Sequence, residues 1–182
     1  TRYNLLFSSK DLYEKTKNFL ATEDVTKIEK RQLQLLLSEM EGNQLPEEMI
    51  ADLANRAAEL NLLFNTYSPE VDGKNYSANE IREVLMYSDD LELRKKVWFA
   101  SKEVGKVVEK DLLELVKKRN EAAQLLGFDN HHQMGFALQE LDRDEVFAIF
   151  NELIAQSDEA YRSMKKELDE RLATKFGIKL ED

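Results

Sequence analysis

The sequence of 182 residues contains no cysteine, two prolines and six glycines, and each scarcity excludes a class of structure. Without cysteine there is no disulfide, no thiolate metal site and no cysteine nucleophile. So few prolines and glycines leave little material for the turns of an all-β or α/β fold, so the sequence favours long helices. No apolar run approaches the roughly 20 residues that cross a bilayer.

Acidic residues dominate the charge, because 36 Asp and Glu against 26 Lys and Arg give a formal net charge of -10. Such a chain repels nucleic acid and anionic membranes unless a local basic patch overrides the field. The sequence contains no such patch, so we expect neither nucleic acid nor a membrane as a partner. It leaves the compartment open, with a soluble protein expected and the cytoplasm favoured.

Apolar residues recur at helical spacing through most of the chain. The pattern predicts an all-α fold of six or seven helices, two of them long, packed antiparallel in a single domain of residues 1–182. The predicted helices are 10–21 with Ser8 or Ser9 as the cap, a second from Thr22 or Asp24 to Gly42, then 46–67, 78–87, 90–126, 130–138 and 143–176. Residues 68–76 form the main loop and a candidate hairpin.

Three predicted helix starts carry a capping box, in which a serine or aspartate is followed three residues later by glutamate. The pairs are Ser77 with Glu80, Asp89 with Glu92, and Asp142 with Glu145. The second pair opens the longest segment, 90–126, which we expect to be one continuous helix.

Few residue patterns in the chain suit catalysis. A helical zinc hydrolase site needs H-E-x-x-H, whereas the two histidines here, His131 and His132, are adjacent and diverge by about 100° on a helix. The glycines stand singly, so no phosphate loop is present, and no serine lies in G-x-S-x-G. We therefore assign no catalytic, cofactor-binding or metal-binding residue in this chain.

Two weaker patterns remain open. Paired carboxylates could in principle serve acid and base chemistry, but with 36 acids they are expected on solvated faces. The pairs and clusters are Glu39/Glu41, Glu47/Glu48, Asp89/Asp90, Glu167/Asp169/Glu170 and Glu181/Asp182. Trp98-Phe99 with Tyr67, Tyr76 and Tyr87 could line a groove for an extended peptide, and core packing explains them equally well.

From about Leu62 onward the sequence resembles the angiotensin-converting-enzyme-like zinc peptidyl dipeptidases, a gluzincin family. The likeness lies in Asn65-Thr66-Tyr67-Ser68, Trp98 to Gly105, Arg119 to Phe128, and Ala160-Tyr161 through Gly177. The third stretch is the most specific, because its Asn-Glu-Ala-Ala cluster followed by Gly-Phe has no general folding rationale. The resemblance covers about two-thirds of the chain, and residues 1–61 match only as amphipathic helices.

The resemblance implies a nearly all-helical fold in which residues 1–67 are lid-like helices and residues 77–182 wall a long channel. It also implies that the zinc-binding H-E-x-x-H helix, a third glutamate ligand and the general base lie beyond Asp182, so zinc belongs to the parent protein and no cofactor to this chain. The implied partners are the C-terminal catalytic half of the same protein and a short peptide substrate. Where the animal enzymes place a chloride-binding arginine, this sequence has Phe136.

The absence of an initiator methionine and the abrupt end at Asp182 lead us to expect a piece of a longer protein. Alone, such a piece of a peptidase is expected to be inactive, so whether the chain itself is an enzyme stays open. The alternative is a stand-alone helical domain that binds a protein or peptide.

Overall fold

The computed structural model describes residues 6–22 and 25–180, and its regular structure is almost entirely helical. The elements are α1 Lys10–Leu20, α2 Lys27–Glu41, α3 Glu47–Thr66, β1 Glu70–Val71, β2 Lys74–Asn75, α4 Ala78–Tyr87, α5 Leu91–Lys102, α6 Val104–Leu125, α7 His131–Leu138 and α8 Arg143–Phe176. The prediction of an all-α fold is confirmed.

The chain divides into two compact units. The first comprises the described residues up to Asn61 with Lys110–Arg143, and the second comprises Leu62–Glu109 with the described residues from Asp144 onward. The single domain of residues 1–182, and its division into lid and wall, stay predictions.

In the first unit, α1 and α2 pack against each other. Ser9 caps α1, because its Oγ accepts a hydrogen bond from the Leu12 N–H at 3.3 Å. The predicted start of α2 at Thr22 is wrong, because the helix begins at Lys27. The other predicted start, Asp24, lies outside the described residues. Instead, Thr26 and Glu29 form a reciprocal capping box, a signature that the sequence contains and that sequence reasoning missed.

The buried side chains of the first unit are mostly aliphatic. Met40 at the end of α2 is fully buried, and Leu115 on α6 is nearly so. A Cβ added to Gly42 would lie 3.3 Å from Leu138 Cδ1, so α2 ends close against α7. Gly42 therefore ends α2 and also lets Leu138 of α7 pack closely against this point of the chain.

The predicted hairpin at 68–76 is confirmed and belongs to the second unit. Strands β1 and β2 pair antiparallel, with Glu70 opposite Asn75. Asp72 and Gly73 between them both have positive φ, 52° and 81°, as a two-residue type I′ turn requires. The hairpin packs on α5, so its Val71 and Tyr76 are buried against Val97; partly buried side chains of α4 and α5 complete this core.

The prediction of one helix over 90–126 is wrong. The structure has two consecutive helices, α5 and α6, that meet at Glu103. At this residue the backbone hydrogen bonds span three residues instead of four: Glu103 N–H donates to Ala100 O, and Lys106 N–H donates to Glu103 O. The tighter turn interrupts the regular ladder. The predicted cap at Asp89 is wrong as well, since Asp90 Oδ1 accepts the Leu93 N–H at 3.0 Å.

Among residues 6–22 and 25–180, none of the helices combines the length and apolar character needed to span a membrane.

Candidate functional site

An open groove in the second unit contains the chain's only tryptophan. Its volume is about 740 Å³, and α4, α5 and the segment after α8 build it. The lining residues are Leu85, Leu91, Glu92, Arg94, Lys95, Trp98, Phe99 and Ile178. Trp98 and Phe99 meet edge to face, with ring centroids 5.0 Å apart, and remain 45% and 56% exposed. The structure therefore brings together two of the five aromatic residues that the sequence offered for a peptide groove.

The three tyrosines of that prediction lie elsewhere. Tyr67 donates its hydroxyl hydrogen to the carbonyl oxygen of Ala100 at 3.0 Å. Tyr76 is buried in the hairpin core. Tyr87 is 75% exposed and lines a separate depression near Glu80. Tyr76 is therefore part of the packed core, whereas Trp98 and Phe99 line the groove.

Ile178 reaches the groove because of how α8 ends. Gly177 adopts a φ of 64°, which reverses the chain, and the Ile178 N–H donates back to the Ala173 carbonyl at 3.1 Å. A glycine at this position avoids the steric cost of a left-handed backbone. Sequence reasoning ended α8 correctly but did not find the groove that its end completes.

Cationic side chains surround the aromatic pair. Arg94 is held by two contacts, since its Nη1 donates to the Ser88 carbonyl at 3.1 Å and its guanidinium lies 5.1 Å from the centroid of Phe176. Lys102 Nζ lies 5.3 Å from the centroid of Trp98. Lys95 is exposed at the lining and makes no ion pair with any described residue. In a chain of net charge -10, the lining of this groove has two cationic side chains, Arg94 and Lys95, and one carboxylate, Glu92.

The cluster at 119–128 has a folding rationale, which corrects the sequence-based view that it has none. Gly127 has a φ of 90°, and the N–H groups of Gly127 and Phe128 donate to the carbonyls of Gln124 and Ala123, both at 3.0 Å. These bonds form the Schellman motif that ends α6. Ala122 and Ala123 are buried.

Asn120 of the same cluster connects two helices. Its Oδ1 accepts the backbone N–H of His131, the first residue of α7, at 3.0 Å. Asn130 caps α7 in addition, accepting the Gln133 N–H at 2.9 Å. Asn120 and Asn130 therefore both stabilise the turn from α6 into α7.

The carboxylate cluster at 167–170 carries ordinary surface ion pairs. Glu167 pairs with Arg171, and Asp169 pairs with Lys165 Nζ at 2.5 Å. Glu181 and Asp182 lie outside the described residues. Among the described carboxyls Glu80 is the most perturbed: its pKa is lowered to about 2, first by the backbone N–H of Ser77 and then by Lys74. It serves the predicted capping box, which is confirmed.

The longest helix, α8, buries none of its residues. Large apolar side chains on it recur at spacings of three, four or seven residues and therefore share one face. They are Phe147, Phe150, Ile154, Tyr161, Met164, Leu168 and Leu172, and each is at least 40% exposed. We call this surface the α8 face. An exposed apolar face of this length marks a surface suited to contact with other protein.

A family model described as angiotensin-converting enzyme matches residues 4–180. The chain belongs to the angiotensin-converting enzyme family. The predicted resemblance is thus confirmed, and the match extends over residues 4–61, where sequence reasoning had found only amphipathic helices. No curated protein and no solved structure matched the chain.

Zinc is general to the angiotensin-converting enzyme family, but the residues described here do not fit a zinc site. In residues 6–22 and 25–180, no three His, Asp or Glu side chains come together as metal ligands would. The two histidines are consecutive; the ring of His132 lies 5.0 Å from that of Phe136. Partial burial lowers the pKa of His131, and the positive charge of Arg119 lowers it further.

Proposed function

We propose that this chain forms the channel wall and lid of a zinc metallopeptidase that hydrolyses short peptides. In this proposal, residues 1–67 are the lid helices and residues 77–182 are the wall. The main support for this proposal is the match to the angiotensin-converting enzyme family over residues 4–180. The zinc ligands and the general base come from the C-terminal catalytic half of the same protein, without which this chain is inactive.

The α8 face supports the proposal. A helix of 34 residues with none of them buried leaves a continuous apolar surface that needs a cover. We assign that cover to the catalytic half. The chain's own contribution is then to bind, orient and enclose the peptide, because an enclosed channel admits extended peptides and excludes folded proteins.

Activity measurements test this division of labour. The 182-residue chain is assayed with a fluorogenic peptide, alone and together with the H-E-x-x-H half of the same protein. We expect hydrolysis only from the mixture, with about one zinc per complete protein. Peptide hydrolysis by the 182-residue chain alone would contradict the proposal. A mixture as inactive as its parts would also contradict it and would favour a stand-alone binding domain.

A pair of substitutions on α8 tests the role of its apolar face. Ile154 is 61% exposed and central in the α8 face, so we expect Ile154→Glu to leave the 182-residue chain folded. In the mixture it buries an unpaired charge, and we expect activity to fall at least about tenfold. Ala155→Glu adds the same charge on the polar side of α8 and should leave activity unchanged. Equal activity of the two variants would argue against the α8 face as the contact.

A further inference from the structure

The groove around Trp98 has the chemistry of a peptide-binding site with a charge preference. Its apolar lining consists of Leu85, Leu91 and Ile178 together with two adjacent exposed aromatic rings, those of Trp98 and Phe99. Exposed aromatic rings provide large contact area at small entropic cost, and tryptophan is the residue most enriched among binding hot spots. An extended peptide of a few residues fits a volume of about 740 Å³.

The charges around the groove decide which peptide it suits. Four cationic side chains stand at or beside it, namely Arg94, Lys95, Lys102 and Lys175. The lining contains one carboxylate, Glu92, while beside the groove Asp89 lies 3.8 Å from Lys175 Nζ and Asp90 caps α5. Among the residues that line the groove, Arg94 and Lys95 outnumber Glu92, although the whole chain carries a net charge of -10.

Two of these cations are available to a ligand. Lys95 pairs with no carboxylate among the residues that the structure describes. Arg94 is fixed by Ser88 and Phe176, yet only one of its N–H groups is used in that bond. A guanidinium held in place loses little entropy when it binds a carboxylate and can donate two parallel hydrogen bonds.

We propose that this groove is a docking site for an acidic peptide, with an apolar side chain on Trp98 and Phe99 and a neighbouring carboxylate on Lys95 and Arg94. The site lies within the second unit and uses no residue of the α8 face. It therefore holds whether or not the chain acts as the channel wall of a peptidase.

Trp98 is the only tryptophan in the chain, so its emission reports occupancy of the groove directly. The 182-residue chain is titrated with the blocked peptide Phe-Glu-Leu-Asp and with its neutral analogue Phe-Gln-Leu-Asn. We expect both to shift the emission to shorter wavelength, with the acidic peptide binding about three- to tenfold more tightly at low salt. Raising the ionic strength should reduce that difference.

Two variants complete the test. Lys95→Gln should lower the affinity for the acidic peptide by about three- to fivefold and leave the affinity for the neutral peptide unchanged. Lys110→Gln removes another exposed lysine, which lies outside the groove, and should change the affinity of neither peptide. Equal affinity of the two peptides, or the same loss in both variants, would overturn the proposal. So would an emission shift that depends on chain concentration in the absence of peptide, because the occupant would then be a second copy.

Discussion

Arg31 on α2 and Glu140 after α7 form an ion pair through two hydrogen bonds, from Nη1 to Oε1 and from Nη2 to Oε2. Glu140 occupies the left-handed position of the Schellman motif that ends α7, with a φ of 56°. Its N–H donates to Ala137 O, and the Leu141 N–H donates to Phe136 O, both at 3.0 Å. Glycine or asparagine is usual at such a position. Glu140 adopts this left-handed backbone conformation although it has a Cβ, and its side chain joins α7 to α2 through Arg31.

Substitutions at Glu140 separate the ion pair from the backbone strain. Glu140→Ala loses the pair and keeps a Cβ in the left-handed region, whereas Glu140→Gly loses the pair and relieves the strain. We expect the melting temperature of Glu140→Gly to exceed that of Glu140→Ala by about 2–4 °C. Thermal denaturation followed by circular dichroism measures both. An alanine variant as stable as the glycine variant would show that φ at this residue stores no strain.

The carboxyl of Glu80 provides a pH-dependent contribution to stability. Its folded pKa is about 2, against an ordinary value of 4.5, because the Ser77 N–H and Lys74 favour its charged form. A lowered folded pKa stabilises the fold above the unfolded value, and the contribution disappears as pH falls from 4.5 towards about 2. In that pH range the free energy of unfolding of Glu80→Gln should change less with pH than that of the unsubstituted protein. At higher pH the two profiles should run parallel. Carboxyl-carbon NMR titration should find Glu80 still charged at pH 3.

Two exposed glycines should respond to alanine with opposite signs. Gly73 has a φ of 81° in the hairpin turn, so Gly73→Ala should cost about 1–2 kcal/mol. Gly105 lies in α6 with nothing within 4 Å of an added Cβ, so Gly105→Ala should stabilise by about 0.5–1 kcal/mol. Urea denaturation of the two variants gives the comparison. A shift of the same sign in both would refute the backbone argument.

Leucines two residues apart on α6 differ sharply in burial. Leu115 is 2% exposed and Leu113 is 62% exposed. Leu115→Ala should lower the free energy of unfolding by about 2–5 kcal/mol, because it removes buried methyl groups and leaves a cavity. Leu113→Ala, with the same chemistry at an exposed site, should change it by less than about 0.5 kcal/mol. Similar losses in both variants would mean that the burial of Leu115 does not carry the stability of this unit.

Local hydrogen bonding made much of the fold predictable. The capping box of Ser77 and Glu80, the glycine ends of α6 and α8, and the Asp72-Gly73 turn each close within a few residues, so the residue types there dictate the backbone. The errors were local as well. The Thr26 capping box was overlooked, and apolar periodicity continued through the tight turn at Glu103, where nothing in the pattern changes.

The sequence alone determined the helical class, the hairpin and the family, because short-range spacing and characteristic clusters such as 119–128 carry that information. Only the tertiary structure decided which distant residues meet. Arg31 and Glu140 are 109 positions apart in the chain, and Ile178 joins Leu85 and Trp98 in one groove. Such contacts depend on how whole helices pack, and helical periodicity identifies the apolar face of a helix but not the residues that it contacts.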